Sequence, residues 1–157
     1  MIAGATLAAV LAVASVAGGP VGGDEPTVEL PFETILDEAS SGLHERRREV
    51  IRDAAGWARL WDEIHEGVTP APPLPAVDFS RHMLIAAALG SRPSGGFDVK
   101  IRSVATRGEK LEVGVFESCP PTGSRVSLAL TQPVEVVRVE RVAQAPAFRE
   151  TRAPSCK

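Results

Sequence analysis

No tyrosine occurs in this chain of 157 residues, and all aromatics together make up 4% of it. That scarcity argues against a carbohydrate-stacking platform. It also leaves any core to Val, Leu, Ile and Ala, with Trp57, Trp61 and five Phe as the large pieces. A one-signed charge balance is missing too. Seventeen basic and 20 acidic residues are mixed along the chain for a net charge of −3, so there is no basic stripe of the kind nucleic acid requires. The densest basic run, Arg46, Arg47, Arg48 and Arg52, is interleaved with Glu45, Glu49 and Asp53 and reads as a solvated, largely neutralised face.

Catalytic patterns are equally scarce. There is no GxSxG to form a nucleophile elbow and no HExxH to hold zinc. His44, His65 and His82 lack metal-ligand spacing to one another. His65 falls near a helix end, where a solvent-facing cation is favourable, and His82 reads as a strand-start residue. Carboxylates are many but scattered. The expectation is therefore no catalytic residue, no metal, no cofactor and no enzyme activity.

Lys and Arg are absent before Arg46, and Ile2 to Gly23 carries no charge at all. Ala3 to Ala17 is almost wholly Ala, Val and Leu, and Ser15-Val16-Ala17 offers small residues for cleavage. Residues 1–23 read as a secretory signal, with an uncleaved membrane anchor as the alternative, and membrane contact is expected only through that segment. No Cys lies near the end of the run, so no lipid anchor is expected there. The expected location is outside the cytoplasm: periplasm, envelope or medium. The two Cys, Cys119 and Cys156, fit neither a CxxC redox pair nor a zinc knuckle. In an oxidising compartment an even count favours a bridge between them; the other reading is two unpaired thiols, one on a frayed tail.

What is present is hydrophobic, at 44%, enough for a packed core. Residues 24–39 read as an acidic, Pro-containing linker with a short strand around Thr27 to Leu30. Val50 and Ile51 sit in a strand over Arg47 to Arg52. Asp53 can cap a following helix in which Ala54, Trp57, Leu60, Trp61 and Ile64 recur at helical spacing. Gly67 ends it, and Pro70, Pro72, Pro73 and Pro75 force an extended connector.

From Met83 the period becomes two. Met83 to Leu89 is a continuous apolar run, as in a strand covered on both faces. Phe97, Val99 and Ile101 alternate with Asp98, Lys100 and Arg102, and Leu111, Val113 and Val115 repeat the pattern after a turn near Gly108. Val126, Leu128 and Leu130 suggest a further strand before Pro133. Val134 and Val136 share one phase while Val137 and Val139 take the other, so that strand is either buried on both sides or bulged. The expectation is an α+β domain: an antiparallel sheet of about five or six strands with one N-terminal helix packed across it, over residues 40–146, followed by a tail at 147–157.

One loop stands out, Gly90-Ser91-Arg92-Pro93-Ser94-Gly95-Gly96-Phe97. It lacks the Lys and the following helix of a phosphate loop. It is either a wide hairpin connection or a shaped contact surface, with Arg92, Pro93, Ser94, Gly95, Gly96 and Phe97 as its candidate binding residues. The phase of Phe97 with Val99 and Ile101 turns its ring inward, leaving Arg92 and the glycine backbone to make the contact. The turn Cys119 to Ser124 is its expected neighbour.

A series of motifs carries a resemblance. In order they are Val50-Ile51-Arg52-Asp53, Trp57 with Leu60-Trp61, Val77-Asp78-Phe79, Leu89-Gly90-x-Arg92-Pro93-Ser94-Gly95-Gly96-Phe97, a strand end around Glu117, Pro120-Pro121 and Thr131-Gln132-Pro133. Over roughly residues 40–142 the chain resembles the PrcB family, named for a subunit of a bacterial cell-surface protease complex. Phe97 stands where that family usually has Tyr. The resemblance implies an exported, non-catalytic accessory domain, often lipoprotein-linked, whose partner is another protein, a protease or an envelope protein. A protease inhibitor, or a module binding a small ligand or an envelope polymer, is the alternative.

Overall fold

The computed structural model describes residues 25–156. The signal or anchor expected at residues 1–23 lies outside them. Eight strands and one helix follow in the order β1 (Thr27–Glu29), β2 (Phe32–Glu38), β3 (Arg46–Ile51), α1 (Ala54–Ile64), β4 (His82–Leu89), β5 (Asp98–Arg107), β6 (Lys110–Ser118), β7 (Val134–Glu140) and β8 (Ala145–Arg152).

The class is α+β as expected, but the strands form two sheets instead of one. Their orders are β1-β5-β6-β8 and β2-β7-β4-β3. All pairs are antiparallel except β6 with β8, where Lys110 faces Ala145 and Glu117 faces Arg152 in a parallel ladder. The two sheets pack face to face, and α1 covers the outer face of the second.

That three-layer arrangement explains the Met83–Leu89 run. Met83, Ile85, Ala87 and Leu89 point to the first sheet, where they meet Val99, Ile101, Val104, Leu111, Val113 and Val115. Leu84, Ala86 and Ala88 point the other way, to Trp57, Leu60, Trp61 and Ile64. The β7 valines divide likewise, Val137 and Val139 to the inter-sheet core and Val134 and Val136 to the helix. Two-sided burial is therefore the reason for their mixed phase. The register slips at two places, in β2 between Thr34 and Leu36, opposite Val137 and Val136, and in β5 between Ile101 and Ser103, while β7 itself stays in register with β4.

The helix obeys its sequence signals. The Asp53 side chain accepts from Gly56 N–H at 2.7 Å, capping the first turn. Trp57 and Trp61 meet edge to face, with centroids 5.2 Å apart. The Pro-rich connector crosses them and supplies acceptors, Trp57 Nε1 donating to the Pro75 carbonyl and Trp61 Nε1 to that of Pro72. His65 is a correction. Its ring is buried against Trp61, with Nδ1 2.9 Å from the Trp61 carbonyl, because the helix end is tucked under the chain instead of facing water.

Three further segments differ from expectation. The supposed linker contributes, besides the expected short strand β1, the seven-residue β2, whose half-exposed residues show little alternation. The supposed tail contributes β8, an edge strand whose mostly exposed side chains hide it from a hydrophobicity reading. Val126 to Leu130 forms no strand. No neighbour pairs with it as a ladder, and Leu128 and Leu130 stand in solvent. No helix among the described residues is long and apolar enough to cross a membrane.

Candidate functional site

The loop after β4 begins with a close approach. Gly90 has φ +73°, and a Cβ there would come within 2.8 Å of the His44 carbonyl and the Arg46 nitrogen, so only glycine fits against the start of β3. Arg92 then pairs with Thr131 through two backbone bonds of 2.8 and 3.1 Å. Gly95 N–H donates to the Ser127 carbonyl at 3.0 Å, and the Thr131 hydroxyl donates to the Ser94 carbonyl at 2.8 Å. Gly96, at φ +84°, lies under Pro120 and Val126; a Cβ would stand 2.9 Å from the proline ring. The Arg92–Phe97 loop is thus laced to the 120–131 segment and positioned by it. The expected neighbour, Cys119 to Ser124, is there, and the contact extends on to Thr131.

Phe97 turns partly inward onto the inter-sheet core, as its phase predicts. The Arg92 guanidinium carbon lies 5.9 Å from its ring centroid, and the side chain's hydrogen bond is a long one to its neighbour's carbonyl, Ser91 O, at 3.3 Å. No carboxylate lies within ion-pair distance of Arg92 among the described residues. Beside it opens a cleft of about 250 Å³, walled by Pro93, Phe97, Glu117, Arg152 and the Cys119–Cys156 bridge. That bridge is formed, with Cα atoms 5.2 Å apart, and ties the end of β6 to the chain beyond β8.

At the cleft floor Glu117 is 5% exposed and accepts from three arginines: Arg46 and Arg48 on Oε1 at 2.5 and 2.6 Å, and Arg152 on Oε2 at 3.3 Å. Burial pushes its carboxyl up, but the hydrogen bond from Arg46 and the charges of Arg46, Arg48 and Arg152 outweigh that and hold it below the usual range. Glu150 is shared between Arg46 and Arg48. Arg52 donates to the Val142 and Gln144 carbonyls, and the rest of the basic run is neutralised, but by Glu117, Glu150 and Glu63 from distant elements. Of the sequence neighbours only Glu49 pairs with it, at 4.0 Å from Arg47. Sequence distance hid this, since β3 and the β6/β8 pair meet only across the sandwich edge.

Leu128 and Leu130 were also missed as site residues. They are 92% and 69% exposed, on a segment fixed by the backbone bonds just described. The spacing of Val126, Leu128 and Leu130 at every second residue reads as a strand. No group of His, Cys, Asp and Glu arranged to hold a metal occurs among the described residues.

The loop, the 120–131 segment and the strands flanking them lie within one recognisable unit. Residues 83–140 match the family model described as PrcB C-terminal. The resemblance read from Leu89–Phe97 and its flanking strands is thereby shown over the part of the fold that builds the cleft. The match begins at β4 and ends with β7, so β3 and β8, which supply Arg46, Arg48 and Arg152, lie outside the matched PrcB C-terminal segment. No curated protein and no solved structure matches the chain. A PrcB-type domain is an accessory domain and points to association with a protease complex.

Proposed function

We propose that the protein is an exported, non-catalytic accessory module that binds another protein through the surface formed by Arg92–Phe97 and 120–131, its partner being a protease or an envelope protein. The observation that carries this is the pair Leu128 and Leu130, both large, apolar and exposed, held beside an arginine that has no ion-pair partner among the described residues. Ordering such side chains costs little further entropy on binding because the backbone beneath them is already fixed. Arginine is enriched at protein interfaces, and covering two exposed leucines removes apolar surface from water.

The other readings fit less well. A small-molecule site usually offers about 300–1,000 Å³ of mainly apolar enclosure, whereas this cleft is about 250 Å³ with charged walls. An inhibitor that inserts an aromatic into a protease needs that ring to project, and Phe97 packs inward.

The test is affinity capture from the source envelope fraction with the full chain as bait, beside a Leu128→Ser/Leu130→Ser variant. The wild type is expected to enrich a protease or an envelope protein. The variant is expected to lose most of that enrichment at an unchanged melting temperature. Equal capture by both would move the surface elsewhere. Failure of the wild type to enrich any protein reproducibly would remove the binding reading.

A further inference from the structure

The charges around the cleft do not balance. Four guanidinium groups, Arg46, Arg48, Arg92 and Arg152, surround two carboxylates, Glu117 and Glu150. Glu117 and Glu150 are engaged by Arg46, Arg48 and Arg152, while Arg92 on the opposite wall engages neither. Arg152 is 59% exposed and holds Glu117 by one nitrogen at 3.3 Å, so its remaining donors face outward. The floor carboxylate cannot leave to serve Arg92, being buried and already shared by three arginines. Among the described residues a surplus of positive charge therefore lines the cleft, beside the rings of Phe97 and Pro93.

We infer that this cleft receives an acidic side chain, Asp or Glu, of the partner protein, bridged between Arg92 and Arg152, while apolar residues flanking that acid in the partner rest on Leu128 and Leu130. This rests on the protein-binding reading above and adds to it the chemistry of the segment bound. Three features favour that occupant. The cleft's roughly 250 Å³ is room enough for an Asp or Glu side chain. Guanidinium groups pair with a carboxylate by forked, charge-assisted hydrogen bonds. The two leucines lie on the segment whose Thr131 is paired to Arg92, so one short stretch of partner can touch both. An acid within a chain, with apolar neighbours on both sides, uses all of these; a free C-terminal carboxylate uses the cleft but has a neighbour on one side only.

The experiment uses full chain labelled with ¹⁵N and with ¹³C-methyl leucine, and three hexapeptides of Leu and Ala, all blocked at the N-terminus and the first two blocked at the C-terminus as well. One carries a central Glu, one a central Gln, and one has no polar residue but a free C-terminal carboxylate. Binding is read by NMR from the Arg Nε–H and Leu methyl signals. The Glu peptide is expected to shift Arg92, Arg152, Leu128 and Leu130 together, with about tenfold higher affinity than the Gln peptide, a factor typical of one charge-assisted bond. Raising salt should narrow that gap. Arg92→Ala should abolish the preference for Glu at an unchanged melting temperature, and Arg92→Lys should restore part of it.

Equal binding of Glu and Gln peptides at the leucines would overturn the acidic inference and leave the protein-binding surface standing. A preference for the free C-terminal peptide would replace the internal acid by a chain end. Shifts at none of these four residues with any peptide would overturn the inference and count against the surface as well.

Discussion

Glu117→Gln is the substitution that most directly tests how the sandwich edge is held. The amide keeps the shape and one accepting oxygen but removes the charge that Arg46, Arg48 and Arg152 share. Stripping a fully buried ion of its partner costs about 3–5 kcal/mol. The cost here is smaller for two reasons. Arg48, whose side chain is 11% exposed, keeps Glu150 at 2.9 Å and the carbonyls of Arg47 and Ala88 at 2.7 and 2.8 Å. Arg46 and Arg152 are 34% and 59% exposed, so water replaces much of what they lose. The net expectation is about 2 kcal/mol, or ~6–8 °C in melting temperature for a domain of this size. The pH dependence follows from the depressed carboxyl. The folded state binds its proton more weakly than the unfolded chain, so the stabilisation is complete above the ordinary value of about 4.3 and is lost as pH falls through the folded value. Urea titrations of wild type and variant at several pH values between neutral and 3 measure both effects. A gap that stays below about 0.5 kcal/mol at neutral pH, or that does not narrow on acidification, refutes the reasoning.

Glu135 should behave with the opposite sign. It is buried between the sheets, where burial raises its carboxyl despite the bonds from Ile101 N–H at 2.5 Å and the Thr34 hydroxyl at 3.1 Å. Its folded state holds the proton more tightly than the unfolded chain, so the stability this gives is present below about pH 4.3 and is lost as pH rises through the raised value. Glu135→Gln should therefore gain on the wild type from acid to neutral pH in the same urea titrations. Trp61→Ala should cost about 3–5 kcal/mol, since it removes a buried ring and its bond to Pro72 together; thermal unfolding checks it. Protein purified under oxidising conditions should show no reactive thiol when unfolded without reductant. Replacing both cysteines by serine should cost up to about 4 kcal/mol in the chain-entropy treatment of a 37-residue separation.

The parts of the fold legible in the sequence are those where burial is one-sided or complete. Met83–Leu89 announced a strand covered on both faces, and Trp57, Leu60, Trp61 and Ile64 a helix stripe, because each position's environment matches its hydrophobicity. β2 and β8 were illegible for the converse reason. They lie at or near sheet edges, where backbone hydrogen bonds rather than side-chain burial fix the conformation. Val126 to Leu130 misled because exposed residues on an irregular segment can share the alternation of a core strand. Of the site, the Arg92–Phe97 loop was visible through its glycines and its likeness to PrcB. The Glu117 cluster was not, since Arg46, Glu117 and Glu150 are brought together by sheet packing that no local pattern encodes.

The pairing of early strands with late ones has a kinetic meaning. Val28 lies opposite Thr106, Phe32 opposite Val139, and Lys110 opposite Ala145. The second sheet cannot join its four strands until β7 has emerged between β2 and β4, and the first lacks its far edge until β8 follows. A chain ending before β7 therefore holds no finished sheet, although β4 can already meet β3, α1, β5 and β6. Architectures dominated by such non-local pairings fold in roughly milliseconds to seconds, far slower than helical bundles. Neither sheet is thus complete until the last strands have been made, and the sandwich closes late.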